Sequence, residues 1–154
     1  MRIKLGTFSI MILGTMFLLG TAFAQTKTTY TGSGTYLANT LTLNLGNGAT
    51  VFRAENEGVV SISTSPPTIL FSKCMGLGIT NPNSSFETDF YCTFEEDNLN
   101  SFAIKGHSTE KGGDGKIIGG SGKWKGATGT MTLTGRQVNG NRGKYTFKMT
   151  VTTP

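Results

Sequence analysis

Three acidic and phenolic side chains, one histidine, two cysteines and a glycine-rich stretch are the residues of this chain with chemistry to offer. Glu87, Asp89 and Tyr91 follow one another at intervals of two. At that spacing they share one face of a β-strand. Facing an interior, they would set acids beside a phenol, a group able to move protons. Facing solvent, they need no chemical role. The choice depends on phase, because Phe86, Phe90 and Phe94 occupy the opposite face of the same strand. If the phenylalanines point inward, the acids point out. If Met75, Leu77, Ile79 and Tyr91 point inward, the acids follow them.

His107 is the only histidine. It shares a strand phase with Lys105, whereas Phe102 and Ile104 take the other phase, so it is expected on a solvated face. With one histidine and two cysteines there is no third or fourth soft ligand, and no metal site is expected.

Six glycines between Ile117 and Gly135 invite a phosphate-loop reading, which fails on spacing. Gly122-Lys123 is followed by Trp124 where a Walker loop needs Ser or Thr. The dinucleotide pattern needs glycine at Lys125, and Gly126 comes one residue late. No helical periodicity follows, so no helix N-terminus is offered to a phosphate. No cofactor is expected. Gly120-Ser121-Gly122 and Gly32-Ser33-Gly34 read as turns and not as nucleophile elbows.

The two cysteines, Cys74 and Cys92, gain meaning from the segments that carry them. Ile69–Ile79 and Phe86–Glu95 flank a loop of Thr80-Asn81-Pro82-Asn83-Ser84-Ser85. A hairpin centred on Asn83 sets Cys74 opposite Cys92, Gly76 opposite Phe90 and Ser72 opposite Phe94. Large rings then cover small residues, which pins the register. Opposed cysteines point to a Cys74–Cys92 disulfide, with two buried free thiols as the alternative. Closing that loop is worth about 3 kcal/mol on the chain-entropy account.

The first residues predict export. Met1-Arg2-Ile3-Lys4 precedes an uncharged stretch from Leu5 to Ala24 that ends Ala22-Phe23-Ala24. This is the layout of a signal peptide cleaved after Ala24, which places the protein outside the cell or in the periplasm. Residues 25–154 then form one domain of 154 − 24 = 130 residues, long enough for a real core. No membrane span is expected after cleavage. Residues 25–100 carry three Lys/Arg and seven carboxylates (3 − 7 = −4), and residues 101–154 carry nine and two (9 − 2 = +7). A basic half can meet anionic partners. Here it reads as an outer sheet face, and no nucleic-acid partner is expected.

Beyond residue 24 the periodicity is that of strands. Leu41-Thr42-Leu43-Asn44-Leu45 alternates, and Asn47-Gly48 predicts a tight hairpin turn back into Ala49–Phe52. Gly58–Ser63 reads as a separate short strand, Leu99–Ser108 as another, and Glu110–Gly115 as a turn. Lys144–Thr152 reads as a half-buried strand with Tyr145, Phe147, Met149 and Val151 on one face. Eight to ten short strands predict an all-β closed barrel or sandwich, and closure removes exposed edges. A membrane barrel would need an apolar outer band, whereas the outer phase reads Thr and Lys.

Gly119-Gly120-Ser121-Gly122-Lys123-Trp124-Lys125-Gly126-Ala127-Thr128-Gly129 resembles the Gly-Gly-[Ser/Thr]-Gly-x-[aromatic]-x-x-[Ala]-x-Gly segment of allene oxide cyclases and dirigent proteins. It is closer still to small secreted bacterial relatives of that barrel superfamily. The resemblance covers about the last forty residues, with support from Cys74-Met75-Gly76 and Phe90–Asp97. It implies an eight-stranded antiparallel barrel with a partly apolar interior. In the named families such a barrel holds a reactive lipid or phenolic intermediate. The matched segment contains no catalytic residue, and Trp124 reads as a packing anchor.

Three functions follow as expectations. A binding module would hold a small apolar or amphipathic molecule among Phe90, Phe94, Tyr145 and Phe147. A cyclase- or isomerase-like enzyme would use Asp89, Glu87 or Tyr91. A structural or interaction protein would fill the barrel with its own side chains. The oligomeric state is left open.

Overall fold

A computed structural model describes residues 25–154, the side chains at 135–137 excepted. The expected signal peptide, residues 1–24, lies outside the described residues. Eight strands follow in sequence: β1 (Thr26–Asn44), β2 (Thr50–Ile62), β3 (Thr68–Thr80), β4 (Phe86–Glu95), β5 (Ser101–Thr109), β6 (Gly112–Ser121), β7 (Thr128–Asn139) and β8 (Arg142–Thr153). Each pairs antiparallel with the next, and β8 returns to β1 to close a barrel. A short 3-10 turn, Gly122–Trp124, lies between β6 and β7.

Burial alternates along the strands as period-two patterning requires. On β4, Phe90, Cys92 and Phe94 point inward while Glu87, Asp89, Tyr91 and Glu95 are exposed. On β8, Phe147, Met149 and Val151 are buried. The β3–β4 hairpin has the expected register, with Cys74 facing Cys92, Gly76 facing Phe90 and Ser72 facing Phe94. Cys74 and Cys92 form a disulfide.

Three local expectations are corrected. Ala49–Phe52 and Gly58–Ser63 are parts of one strand: β2 runs unbroken through Gly58, which faces Tyr36 on β1. Gly58 weakens strand propensity, but two neighbouring strands hold it in the ladder. The β1–β2 connection is not a two-residue Asn47-Gly48 turn. It is a five-residue loop, 45–49, with positive φ at Gly46 and Gly48. The Leu45 N–H donates to Ala49 O, and the Asn47 side chain accepts from the Ala49 N–H. Gly112-Gly113-Asp114-Gly115 is no turn either: those residues begin β6, and only 110–111 separate it from β5.

The strand directions give the barrel two ends. Loops 63–67 and 96–100 and the Gly122–Trp124 turn lie at one end. The loops after β1, β3, β5 and β7 lie at the other.

Candidate functional site

The barrel interior is solid at one end and hollow at the other. At the solid end Ile62, Leu70, Phe102, Ile117, Trp124 and Val151 are all buried. Phe94 stacks on Phe102 with ring centroids 4.9 Å apart, and Phe102 meets Trp124 at 4.7 Å. Tyr30 closes on Trp124 edge-on at 6.3 Å. Trp124 thus plugs this end, held in place by the 3-10 turn that precedes β7.

Toward the other end the inward positions alternate between very small and very large residues. Tyr36 lies over Gly143, Phe52 over Gly78, Phe90 over Gly106 and Tyr145 over Gly34, each a directly facing cross-strand pair, while deeper in the barrel Phe147 lies over Gly32. A Cβ added at Gly106 would come within 2.4 Å of the Phe90 ring. The Phe90 ring therefore covers Gly106 on β5 and not Gly76 on β3, as the hairpin alone had suggested. Rings that lie flat on neighbouring strands line the wall and leave the axis unfilled.

The result is a cavity of about 120 Å³ in the open half. Its walls include Phe52, Phe86, Phe90, Phe94, Met131 and Leu133, with the Cys74–Cys92 disulfide on one side. Polar groups are few: Asn56, Ser72, Thr88, Ser108 and the phenols of Tyr36 and Tyr145. The Oδ1 of Asn56 and the Oγ1 of Thr88 are buried without a hydrogen-bond partner among the described residues. Unpaired polar atoms in such surroundings cost about 1–3 kcal/mol each unless a guest or water satisfies them. Tyr145 hydrogen-bonds Ser72, and burial pushes its phenol up to about 12 against that bond. It is a neutral hydroxyl at ordinary pH.

Of the residues expected to line a pocket, Phe90, Phe94 and Tyr145 do so. Phe147 does not: its ring is spent on Gly32, in the packed core below the cavity. Glu87, Asp89 and Tyr91, the candidate proton-transfer group, stand on the outer wall because the phenylalanine phase took the interior. They do not meet the cavity. On the outside, the Asp89 carboxylate lies 2.9 Å from Nδ1 of His107, its facing residue on β5. That hydrogen bond raises the His107 pKa above its ordinary value, with the charges of Asp89, Glu87 and Asp114 adding to it against desolvation. Lys105 sits over the Tyr91 ring, 5.6 Å from its centroid. These are surface pairs. Among the described residues no three His, Cys, Asp or Glu side chains group as metal ligands, and no helix is long and apolar enough to cross a membrane.

No local pattern in the sequence singles out Asn56 or Thr88 as a cavity residue. Asn56 shares the phase of Ala54, Val60 and Ile62 on β2, which marked it as inward. Whether an inward polar group finds a partner depends on strands far away in sequence.

This architecture defines a class: the dirigent-like eight-stranded barrel. Among solved structures the chain is similar to the pterocarpan synthase dirigent protein GePTS1, at 12% identity and a TM-score of 0.55, covering 98% of each chain. It is also similar to a protein of unknown function of the DUF3224 family from Shewanella oneidensis MR-1, at 15% identity and a TM-score of 0.50, over 82% of this chain and 97% of that one. No family model and no curated protein matches the chain. Likeness at such identities describes the fold alone.

Proposed function

We propose that this protein binds a small apolar or amphipathic molecule in the open half of its barrel. One observation carries the reading: an apolar cavity whose wall holds two buried oxygens, Asn56 Oδ1 and Thr88 Oγ1, without a partner among the described residues. A guest with a polar end would satisfy them and bury its apolar part against the rings. The enclosed space is well below the ~300–1,000 Å³ of sites for drug-sized ligands. It is close to the ~150 Å³ of a cavity that accepts benzene. The buried part of the guest is therefore about one ring or a short chain in size, with any remainder at the mouth.

An enzymatic reading has less support. The titratable side chains lining the cavity are phenols, and Tyr145 holds its proton too firmly to act as a base near neutrality. Export is part of the proposal: the Ala22-Phe23-Ala24 site and the Cys74–Cys92 bridge both favour an oxidising compartment.

Native mass spectrometry of the protein from its own host tests the binding role. A reproducible small adduct is expected, lost when Ala54→Leu fills the cavity wall. A clean apo mass, with no shifts of cavity resonances on screening single-ring and short-chain compounds, would overturn it.

A further inference from the structure

The barrel is closed, yet its strands overlap unevenly, and among the described residues the end of β1 is one stretch whose edge stays open. β1 pairs with β8 over Thr26–Leu37 and with β2 over Gly32–Asn44. From Asn39 to Asn44 it therefore has, among the described residues, a neighbour on one side only. All six of these residues are exposed, on both faces of the strand.

The direction of the free backbone groups follows from two hydrogen bonds. The Ala38 N–H donates to Asn141 O, on the β8 side. The Leu45 N–H donates to Ala49 O, on the β2 side. Alternate residues of a strand point their backbone groups to alternate sides. Hence Asn39, Leu41 and Leu43 bond to β2, and Thr40, Thr42 and Asn44 present N–H and C=O groups to the open side. Edges are ordinarily guarded by charge, proline, a bulge or a covering segment. Asn39-Thr40-Leu41-Thr42-Leu43-Asn44-Leu45 contains no charge and no proline, and its β1–β2 register is regular.

We infer that this edge pairs with the same edge of a second copy, antiparallel about a two-fold axis through Thr42. The segment is self-complementary in that register. Thr42 faces its own copy and Thr40 faces Asn44, and these are the residues with free backbone groups, so each facing pair exchanges two hydrogen bonds. Leu41 faces Leu43 in the intervening pairs, where side chains approach more closely. Both leucines lie on the outer face, at 63% and 66% exposure, so pairing covers apolar surface that one copy leaves in water. No like charges meet. A one-residue slip would set bonded against unbonded positions and break the leucine pairs. An interface of this kind is isologous and closes at two copies.

Sedimentation velocity and light scattering on the purified protein test this. The expected mass is twice that of the chain, falling to one on dilution. Thr42→Pro removes an N–H that has no partner within the barrel, so the fold, read by circular dichroism, is expected to stay and the pairing to be lost. Thr42→Lys sets two like charges across the axis and is expected to weaken pairing most at low salt. A single-chain mass at all concentrations, a mass of three or more chains, or twofold mass retained in folded Thr42→Pro would each overturn the inference.

Discussion

The Tyr145 ring lies against the α-carbon of Gly34, directly across the seam where β8 closes on β1. A Cβ at Gly34 would fall 2.5 Å from the Tyr145 Cζ. The ring lies along the wall, and the cavity stays open, because nothing projects from position 34.

Gly34→Ala should therefore push the Tyr145 ring toward the axis. The expected cost is about 1–3 kcal/mol, as for overpacking in other cores, read from urea unfolding. In a Tyr145→Ala background most of that cost should vanish, since the clash is with the ring. Such a double-mutant cycle isolates the pair. Additive effects would show that the two residues do not interact.

The Tyr145 phenol supplies a pH dependence. Its pKa rises from 10.0 to about 12 on folding, so between those values the folded chain keeps a proton that the unfolded chain has lost. By linkage the contribution is fully present below pH 10 and is lost as pH climbs toward 12. Two units correspond to roughly 3 kcal/mol. Ultraviolet titration should show one tyrosine ionising late, and Tyr145→Phe should abolish that phase.

The disulfide gives a third expectation. Replacing both Cys74 and Cys92 by alanine should cost about 2–5 kcal/mol, the usual range for a native bridge in a small domain. Because the register is also held by neighbouring strands on both sides, the barrel should still form. Retained circular dichroism with a lower denaturation midpoint is the outcome to look for. An unchanged midpoint would mean the bridge adds nothing.

The β3–β4 hairpin was legible in the sequence because its information is local: cysteines, rings and glycines fall into one register and agree. The inward phase of β8 was legible for the same reason. Gly58 misled because a glycine in isolation reads as a break, whereas β1 and β3 hold it in a continuous strand. Asp89 and Glu87 are ambiguous in the sequence since each face of the β3–β4 hairpin offers an apolar set, Phe86, Phe90 and Phe94 or Met75, Leu77 and Tyr91. Only the barrel's curvature selects the inner one. Phe147 was expected in the pocket from its phase alone. The glycine it covers is on β1, more than a hundred residues away, and no local pattern records that pairing.

The β1–β8 seam also bears on how the chain comes to be folded. Every other pairing joins strands adjacent in sequence and can form as soon as the next strand is present. β1 must wait for Arg142–Thr153 before its second neighbour exists. Loop closure over that span is the slowest contact to reward its entropic cost. Until then Thr26–Leu37 is an open edge as well, so a nascent or truncated chain lacking β8 exposes a long unpaired strand where the finished barrel exposes a short one. The last strand is thus the guard of the first, and loss of β8 should be felt first as aggregation.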